Sequence, residues 1–398
     1  MKISKKAQLC GLSPMRKFHP YAVAAREKGR KIYPMNIGQP DIETPAAYFE
    51  AVRTFTQPVL EYAPSPGVDS FIEAVRAYYG RLGVALTADN ILVTTGGSEA
   101  LQIVMNCILD EGDEVIVPEP FYPNYNTFVR TAGGVICPVP TLPEEGYFYA
   151  QREKFEPLIN EKTRAIIISN PGNPTGTSIN HEQMRMLVDL CKAHDLYLIS
   201  DEVYREFNYD SDRLTTMLEF EDASENVVVI DSVSKRFSAC GARIGCIATR
   251  NRELTQQALK FCQARLSVAT LDQVASAALY SVDSSYFTAT REEYRRRRDT
   301  VVRKLKEIPG VICEEPKGAF YLMAALPVDD ADKFQMWLLT DFEDKGETVM
   351  FAPGESFYAT PGKGKNEIRI AYVLNQTDLE RAMDLLALGI QAYQKACM

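Results

Sequence analysis

Histidine and paired cysteines are scarce in this sequence. The 398 residues include three histidines, and the nine cysteines are scattered with no CxxC pair and no Cys/His cluster. This spacing argues against a structural zinc site and against a disulfide framework. We therefore expect no metal site, and we expect most cysteines to be reduced and to act as small core residues.

Long apolar runs and a basic excess are also missing. No run of about 18 apolar residues is present to form a transmembrane helix. The lysines of the N-terminal segment are not followed by the apolar region of a signal peptide. The formal net charge of -9 gives no general attraction to nucleic acid or to an anionic membrane. These absences predict a cytoplasmic protein that binds neither, and an anionic ligand would need a local basic site.

Two common nucleotide-binding fingerprints are absent as well. No GxGxxG follows a strand-like run, which disfavours a dehydrogenase that binds a dinucleotide. The GKGK at residues 362–365 lacks both the following Ser or Thr and the glycine spacing of a P-loop. Neither kind of nucleotide-binding loop is therefore expected.

What the sequence does contain is an alternation of apolar, strand-like runs with amphipathic stretches. Helical patterns cover residues 98–109 and 180–194. The strand-like runs cover residues 91–94, 114–117, 135–139, 164–169, 196–200, 227–231 and 244–248. Continuous apolar strands separated by helices predict an α/β fold with a mostly parallel sheet that is covered by helices on both faces.

The pattern changes after about residue 275. A long helical pattern covers residues 286–305, and a final amphipathic pattern covers residues 378–393. The strand-like runs between them cover residues 320–323, 349–351 and 367–371. These segments predict a smaller α+β domain, which the N-terminal segment joins. We therefore expect a large domain of residues 46–280 and a small domain of residues 1–45 plus 281–398.

Four consecutive arginines, residues 295–298, lie within the long helical pattern. They invite a nucleic-acid interpretation, but acidic residues flank them at helical spacing. Such pairs are typical of a solvated helix face. We expect that ordinary role.

The segment DSVSKRFSACGARIG, residues 231–245, carries the clearest chemical signal. The segment directly follows an apolar strand, so that Lys235 lies near the end of a buried strand, which is a costly position for a lysine without a function. Partial burial and nearby cationic charge would help its amine to lose a proton near neutral pH, as a Schiff base requires. The side chains of Ser232, Ser234 and Arg243 are donors suited to a phosphate. Lysines at loop starts are usually solvated, so this segment alone is only suggestive.

Three further segments follow predicted strands. In IIISNPGNPTG, residues 166–176, the Asn-Pro and Pro-Gly pairs alone favour a surface turn. In DEVYREF, Asp201 and Glu202 end a strand, where parallel sheets build ligand sites, although an acid there can also cap a helix. In TTGGSEAL, residues 94–101, two glycines and a serine lead into a helix. That start is either a phosphate cradle or an ordinary capped N-terminus.

Together, the four segments resemble the class I aminotransferases of fold type I, the aspartate aminotransferase-like group. The combination of NPGNPTG with SxSK and an arginine eight residues after the lysine is highly specific. The resemblance extends from GQPD at Gly38 to IRIAY at Ile368. It implies the fold type I architecture, a pyridoxal 5′-phosphate (PLP) cofactor and the transfer of an amino group.

The resemblance implies catalytic roles for three residues. Lys235 would hold PLP as a Schiff base and, once released, would move a proton between the substrate α-carbon and the cofactor C4′. Asp201 would pair with the pyridine nitrogen and keep the ring protonated, so that the ring can accept electrons. Tyr204, together with Asn173, would bond the 3-oxygen of the cofactor and tune the pKa of the Schiff base.

The other matched residues would bind cofactor or substrate. The phosphate would be bound by Gly97, Ser98, Ser232, Ser234 and Arg243. Tyr122 would stack on the cofactor, at a position where many relatives have Trp. Arg369 would grip the substrate α-carboxylate bidentately, with Gly38 and Asn173 as further donors. Tyr62 would reach the phosphate of the partner subunit's cofactor, which implies a homodimer.

The resemblance does not identify the amino donor. One branch of the family binds a distal carboxylate with a lysine directly after the two glycines of the phosphate loop, where this chain has Ser98. Arg16, Lys17 and Arg265 are other candidates, although each is more commonly a surface or structural cation. Aspartate as the donor, with 2-oxoglutarate as the acceptor in a ping-pong mechanism, is therefore a hypothesis.

Two alternatives use the same scaffold, because a fold does not fix a reaction. One is a PLP-dependent carbon–sulfur lyase or other elimination enzyme, which would release pyruvate and ammonia from cysteine-type substrates without an oxo acid. The other is a non-catalytic PLP-binding regulator. Regulators of this shape carry an added DNA-binding domain, and this chain starts almost at the enzyme domain, which disfavours that alternative.

Overall fold

The computed structural model describes residues 1–210 and 215–397. Its strands are β1 Lys31–Pro34, β2 Ile91–Thr94, β3 Glu114–Pro118, β4 Val135–Val139, β5 Thr163–Ser169, β6 Tyr197–Asp201, β7 Val227–Ser232, β8 Gly245–Thr249, β9 Tyr321–Ala325, β10 Glu347–Met350, β11 Ala352–Pro353 and β12 Glu367–Ala371. Its α-helices are α1 Lys5–Leu9, α2 His19–Glu27, α3 Ala46–Arg53, α4 Asp69–Arg81, α5 Gly96–Ile108, α6 Asn124–Thr131, α7 Arg152–Phe155, α8 His181–Ala193, α9 Val233–Arg236, α10 Arg252–Ala264, α11 Thr270–Leu279, α12 Ser284–Lys306, α13 Ala331–Thr340 and α14 Gln376–Cys397. None of these helices combines the length and the apolarity needed to span a bilayer.

A seven-stranded sheet with the order β2-β8-β7-β6-β5-β3-β4 forms the centre of the large α/β part. Only β8 is antiparallel to its neighbours β2 and β7. Every residue of β7 is buried, because helices such as α5 and α8 bury apolar side chains next to the sheet. β-Branched residues suit such a strand, which is covered on both faces. The predicted α/β fold with a mostly parallel sheet is confirmed.

The register of this sheet brings the ends of several strands to one edge. Gly245, the first residue of β8, is paired with Thr94 at the end of β2 and with Ser232 at the end of β7. Ser169 at the end of β5 is paired with Asp201 at the end of β6. The segments that follow β2, β5, β6 and β7 therefore leave the sheet on the same side.

Two smaller sheets lie outside the large sheet, and one of them joins the N-terminal segment to a C-terminal strand. β1 pairs in parallel with β10, and β12 lies between β11 and β9 in an antiparallel sheet. One large apolar cluster lies within residues 71–280, whereas another consists mainly of residues 294–393 together with Tyr33 and Met35. The predicted domain boundaries at residues 46 and 280 stay a prediction.

The predicted strand at residues 349–351 corresponds to the end of β10 and to Phe351, which separates β10 from β11. The backbone N–H of Phe351 donates to the side-chain oxygen of Gln335 at 2.6 Å, at the point where the chain leaves its pairing with β1 and begins its pairing with β12. The sequence pattern could not show this break, because Phe351 is as apolar as the residues on either side.

The arginine run on α12 differs from its predicted environment. Arg297 is buried and donates to Asp41 at 2.6 Å. Arg298 is buried and donates to the carbonyl of Pro316 at 3.2 Å. The first two arginines pair with acidic residues of the same helix. The predicted pairing is confirmed, but a solvated face is wrong for Arg297 and Arg298, because segments distant in sequence pack onto that side of the helix.

The cysteines are also less buried than expected. None of the nine, which all lie in the described residues, forms a disulfide. Four are buried, namely Cys191, Cys246, Cys262 and Cys313, whereas the others are partly or fully exposed. Cys107 and Cys137 are partly buried and pack against the apolar clusters, so six of the nine cysteines lie in or against the core, although fewer than predicted are fully buried.

Candidate active site

A cleft of about 430 Å³ lies at the edge of the large sheet where β2, β5, β6 and β7 end. Every site residue predicted from the sequence lines this cleft, except Tyr62. These residues are Gly38, Gly97, Ser98, Tyr122, Asn173, Asp201, Tyr204, Ser232, Ser234, Lys235, Arg243 and Arg369. A larger cavity of about 840 Å³ is lined by acidic side chains such as Glu144 and Glu314 and by none of the predicted residues. The chemistry-bearing side chains therefore converge in the smaller cleft.

Lys235 lies on the single turn of α9, directly after β7. Its Nζ donates to the carbonyl oxygen of Gly38 at 2.9 Å and lies 3.6 Å from the Sγ of Cys240. The side chain is only partly buried and faces the cleft. Because its bonded partner is a neutral carbonyl, the amine is available to a ligand.

Asp201 ends β6 and is buried, with 7% of its surface exposed. It accepts hydrogen bonds from the hydroxyl of Tyr125 at 2.8 Å and from the N–H of Val203 at 3.4 Å. Burial raises the pKa of this carboxyl to about 6, although both hydrogen bonds act in the opposite direction. A carboxylate in this setting is stabilised by a cationic ligand atom more strongly than an exposed one would be.

The neighbouring Glu202 is turned away from the cleft. It accepts hydrogen bonds from Ser200 and from the N–H of Met217, and it pairs with Arg205. Successive residues of a strand point to opposite sides, which explains why Asp201 lines the cleft and Glu202 does not. Of the two acids at the end of this predicted strand, only Asp201 is therefore available to a ligand.

Backbone and side-chain donors meet where α5 begins. Gly97 and Ser98 form its first turn, and Gly96 has a φ of 74°. A Cβ atom at Gly96 would lie 2.4 Å from Nη2 of Arg243, so the arginine approaches only because residue 96 is a glycine. Helix N-terminal N–H groups and a guanidinium together favour an anion.

The two serines of the lysine segment complete this corner of the cleft. Ser232 is hydrogen-bonded to Ser234 through their hydroxyls at 2.8 Å, and the Ser232 hydroxyl also lies 2.8 Å from the carbonyl of Ile244. Ser232 caps α9, because its hydroxyl accepts from the N–H of Ser234. Their position therefore depends on the turn that also carries Lys235.

Aromatic side chains form much of the remaining wall. Tyr122 is partly buried and its hydroxyl accepts from Nδ2 of Asn124 at 2.7 Å. Burial raises the pKa of the Tyr122 phenol to about 12. Tyr204 is buried, and its hydroxyl lies 3.0 Å from that of Tyr321. Burial raises the pKa of Tyr204 well above its usual value, so both phenols are protonated hydrogen-bonding groups at neutral pH.

Arg369 comes from β12, which belongs to a different sheet from the strands that carry the other residues, and it lines the cleft. It is buried, and it donates to Oδ1 of Asn173 at 3.0 Å and to the carbonyl of Asn36 at 2.6 Å. Its Nε has no hydrogen-bond partner among the described residues. Its guanidinium lies over the rings of Tyr321 and Phe357, and burial lowers its pKa. A buried guanidinium bonded only to neutral acceptors is suited to an incoming carboxylate.

Several lining residues were not predicted from the sequence. Tyr321, Asn36 and Tyr125 all contact predicted site residues. Only Tyr321 had a usable signal, because it lies in a predicted strand, β9, that pairs with the strand of Arg369, β12. In the register of these two strands, Arg369 is paired with Met323, two residues from Tyr321 and therefore on the same face.

The three candidate cations for a distal carboxylate differ in their surroundings. Lys17 pairs with Asp332 at 2.5 Å. Arg265 pairs with Glu99 at 3.2 Å and is outside the cleft lining. Arg16 lines the cleft and is exposed. Among the residues that the structure describes, no acid pairs with its guanidinium.

Tyr62 lies apart from the cleft, in the segment between α3 and α4, and 79% of its surface is exposed. Val59 and Leu60 beside it are also exposed. An aromatic residue in an exposed apolar segment is typical of a contact surface. Its predicted role in a partner subunit's site stays a prediction.

Comparison with known proteins agrees with this geometry. The family described as aminotransferase class I and II matches residues 30–386. The aspartate/prephenate aminotransferase of Thermus thermophilus is 32% identical over 393 residues, which cover 97% of this chain and 98% of that protein. The arginine–pyruvate transaminase of Pseudomonas aeruginosa is 32% identical over 377 residues, which cover 93% of each chain. The solved structure of Thermus thermophilus aspartate aminotransferase with maleate has a TM-score of 0.88 at 29% identity and covers 98% of this chain and 100% of that one. The chain with this cleft therefore belongs to the class I and II aminotransferase family and is an aminotransferase.

Proposed function

We propose that this aminotransferase uses PLP to move an amino group from an L-amino acid to a 2-oxo acid by a ping-pong mechanism. The observation that carries the proposal is the convergence of Lys235, Asp201 and Arg369 in one cleft. An amine, a buried carboxylate and a buried guanidinium are the groups needed to hold an aldehyde, a pyridinium and a substrate carboxylate.

The donor set of the cleft fits PLP. Asp201 is a buried acid whose charged form is disfavoured by burial. A protonated ring nitrogen beside it would stabilise that charged form. The first turn of α5 and Arg243 offer N–H groups to a phosphate dianion. PLP, when bound, supplies a ring that takes up the electrons of the substrate carbanion. Class I aminotransferases are generally PLP-dependent, and we assign this cleft to the cofactor.

The side chains around Lys235 have distinct roles in this proposal. Lys235 holds the cofactor, and its freed amine carries a proton to and from the substrate α-carbon. Asp201 keeps the ring nitrogen protonated. Tyr204 and the Nδ2 of Asn173 donate to the cofactor 3-oxygen, since Oδ1 of Asn173 is already used by Arg369. Tyr122 packs on the ring as an aromatic wall.

Arg369 binds the substrate α-carboxylate. A carboxylate accepts two parallel bonds from a guanidinium, worth roughly 1.5–3 kcal/mol per charge-assisted bond. The unpartnered Nε of Arg369 is one such donor. Gly38 lies beside Lys235 and Tyr321 and leaves the main chain accessible, because it has no side chain.

Borohydride labelling tests the proposal. The purified protein should be yellow with bound PLP, and reduction followed by peptide mapping should place the label on Lys235. Lys235→Ala should abolish transamination while cofactor binding persists. Lys317→Ala is a matched control, because Lys317 pairs with Asp210 outside the cleft, and it should retain label and turnover. A colourless wild type that stays unlabelled with added PLP would disprove the assignment.

The elimination and regulator alternatives have less support. The relatives and the solved structure named above are aminotransferases or transaminases. Release of pyruvate and ammonia from cysteine-type substrates without an oxo acid would favour elimination. Transfer of labelled nitrogen to 2-oxoglutarate would favour transamination.

We further propose that a dicarboxylic donor such as aspartate is bound with the help of Arg16. This side chain lines the cleft, and no described acid pairs with it. The segment that carries it also contacts the substrate side of the cleft, since the Sδ of Met15 lies 3.8 Å from Nη2 of Arg369. The second carboxylate of such a substrate, beyond the one bound by Arg369, would pair with the positive charge of Arg16.

A donor panel measures this substrate preference. With 2-oxoglutarate as acceptor, Arg16→Gln should lower kcat/KM for aspartate about 10- to 100-fold, the value of one charge-assisted bond. The value for alanine should change less than about twofold, since alanine has no distal charge. Lys17→Gln is the control and should leave both values unchanged. Faster turnover of alanine or aromatic donors than of aspartate by the wild type would contradict aspartate use, and equal losses for aspartate and alanine would contradict the role of Arg16.

Three further features belong to the proposal. We propose a homodimer in which Tyr62 reaches the partner subunit's cofactor, and two domains divided near residues 46 and 280. Exposed apolar side chains near Tyr62 support the first, and the two separate apolar clusters support the second. A cytoplasmic location is proposed from the sequence composition and is checked by cell fractionation.

A further inference from the structure

Two buried phenols face each other inside the cleft. Tyr321, the first residue of β9, is 2% exposed, and its hydroxyl lies 3.0 Å from that of Tyr204. Both residues line the cleft. Buried hydroxyls require hydrogen-bond partners, and each of these two provides one for the other. The hydrogen bonding of the Tyr204 hydroxyl therefore depends on Tyr321.

The hydroxyl of Tyr321 has a second acceptor nearby. The carbonyl oxygen of Gly38 lies 3.4 Å from it and already accepts from Nζ of Lys235 at 2.9 Å, so the single proton of Tyr321 can be donated to the nearer oxygen of Tyr204. A Cβ atom at residue 38 would lie 1.8 Å from the Tyr321 hydroxyl oxygen, so the phenol fits only against a glycine. A chain of contacts thus joins Lys235 to Tyr204 through Gly38 and Tyr321.

The ring of Tyr321 has a separate contact. The guanidinium of Arg369 lies over it, 4.6 Å from the ring centroid. Contacts of this kind hold a buried guanidinium in orientation and are stronger when water is excluded. Tyr321 therefore touches both Arg369 and Tyr204, which belong to different parts of the chain.

We propose that Tyr321 is a positioning residue for the transamination proposed above. Its hydroxyl donates to the oxygen of Tyr204, so that the single proton of Tyr204 is directed at the 3-oxygen of the cofactor. Its ring holds Arg369 in place for the substrate carboxylate. A phenol that accepts one hydrogen bond donates another more strongly, so the Tyr321 hydroxyl strengthens the bond from Tyr204.

The direction of the effect follows from the charge that Tyr204 stabilises. A donor to the 3-oxygen favours its anionic form and so lowers the pKa of the lysine-bound cofactor. Loss of the Tyr321 hydroxyl weakens that donor and raises this pKa. The other titratable groups that face the tyrosine pair are Asp201, Tyr122 and Arg369, and none of them is altered by the change.

Tyr321→Phe tests the hydroxyl, because it keeps the ring over Arg369. Absorbance of the holoenzyme is titrated with pH. We expect an upward shift of the cofactor pKa by about half a unit to one unit, as for the loss of one neutral hydrogen bond. KM for the amino acid should change by less than about twofold, since the contact with Arg369 is retained. An unchanged or lower pKa would overturn the role of the hydroxyl.

Tyr321→Leu tests the ring. We expect KM for the amino acid to rise about three- to tenfold, because the guanidinium of Arg369 loses its aromatic contact. The thermal midpoint of this variant is measured alongside, and the comparison is made only at temperatures where the variant is folded. A KM equal to that of Tyr321→Phe would overturn the role of the ring.

Tyr372→Phe is the matched control. Tyr372 is also fully buried and its hydroxyl donates to the carbonyl of Ala319 at 3.3 Å, but it does not line the cleft. Removal of the Tyr372 hydroxyl should leave the cofactor pKa unchanged. A shift as large as that of Tyr321→Phe would overturn the proposal. A wild type without cofactor absorbance would instead mean that the proposed function has failed, so the two failures are distinguishable.

Discussion

Asp201 shows how burial prepares a single residue for a charged ligand. Its carboxyl is held by Tyr125 and Val203, and burial raises its pKa to about 6. An unfolded chain has an Asp pKa of about 3.9. The folded, cofactor-free protein therefore binds this proton more tightly than the unfolded chain does. The resulting stabilisation is complete below pH 4 and is lost as the pH rises through about 6.

The substitution Asp201→Asn tests this loss of stability with rising pH. The cofactor-free variant should be more stable than the cofactor-free wild type at pH 8, by about 1–3 kcal/mol, because the buried charge is gone. The gain should vanish near pH 4, where the wild-type carboxyl is protonated. Thermal midpoints of both proteins at the two pH values measure it. The variant should also bind PLP more weakly, as followed by visible absorbance. A gain of equal size at pH 4 and pH 8 would contradict the electrostatic explanation.

At the scale of elements, a buried ionic network joins the segments that follow β6 and β7. Arg205, which follows β6, pairs with Glu202 and also with Asp231 of β7 at 3.5 Å. Arg236 donates to both oxygens of Asp231 at 2.9 Å. Breaking a buried pair typically costs about 3–5 kcal/mol. The network thus fixes the segment of Asp201 relative to the segment of Lys235.

The same network explains why charged residues are tolerated beside buried strands. The sequence interpretation treated a lysine after a strand as costly, yet Arg236, the next residue, is fully buried and has no surface exposure to offset that cost. It is stabilised by Asp231 and lies over the ring of Tyr78. A buried charge in this protein is therefore not by itself a sign of catalysis, and Lys235 differs because its amine has no acidic partner among the described residues.

At the scale of the whole molecule, hydrogen bonds connect the large sheet to the C-terminal elements. Buried Glu119, which follows β3, accepts from the N–H groups of Ala359 and Thr360 at 3.1 Å each. Tyr147 donates to Glu367 of β12 at 3.0 Å, two residues before Arg369. These contacts help to hold β12 near the edge of the large sheet, where Arg369 and Asp201 line the same cleft.

The exposed segment at Tyr62 leads to a prediction about assembly. Leu60 is 64% exposed beside Val59 and Tyr62, and an interface would bury them. Leu60→Asp should weaken the proposed dimer, because a charge placed in an apolar interface is left without a partner. Light scattering should show a smaller mass, and the affinity for PLP should fall because Tyr62 no longer reaches the partner.

Leu12→Asp is the control for that change. Leu12 is 98% exposed in a different segment, and its replacement should leave mass and cofactor affinity unaltered. A wild type that is monomeric at micromolar concentration, or a Leu60→Asp dimer with full cofactor affinity, would contradict the prediction.

The sequence by itself determined the strands of the large sheet and many, but not all, of the residues that line the cleft. Strands such as β5 and β7 are continuous apolar runs, Asp201 ends such a run, and Lys235 and Gly97 each lie three residues after one. A local pattern is sufficient there, since the carboxyl ends of parallel strands meet at one edge. The break between β10 and β11 was missed because β10 pairs with β1 and β11 pairs with β12, and the sequence pattern does not show which strands pair.

Only the tertiary structure decided which residues meet across the cleft. Arg369 and Asn173 are 196 residues apart, and Tyr204 and Tyr321 are 117 apart. It also buried Arg297 and Arg298, which the helical pattern assigned to solvent. These outcomes depend on how the β9–β12 sheet packs on the large sheet. No periodicity within one element encodes that packing, because it arises from contacts between elements that are distant in the chain.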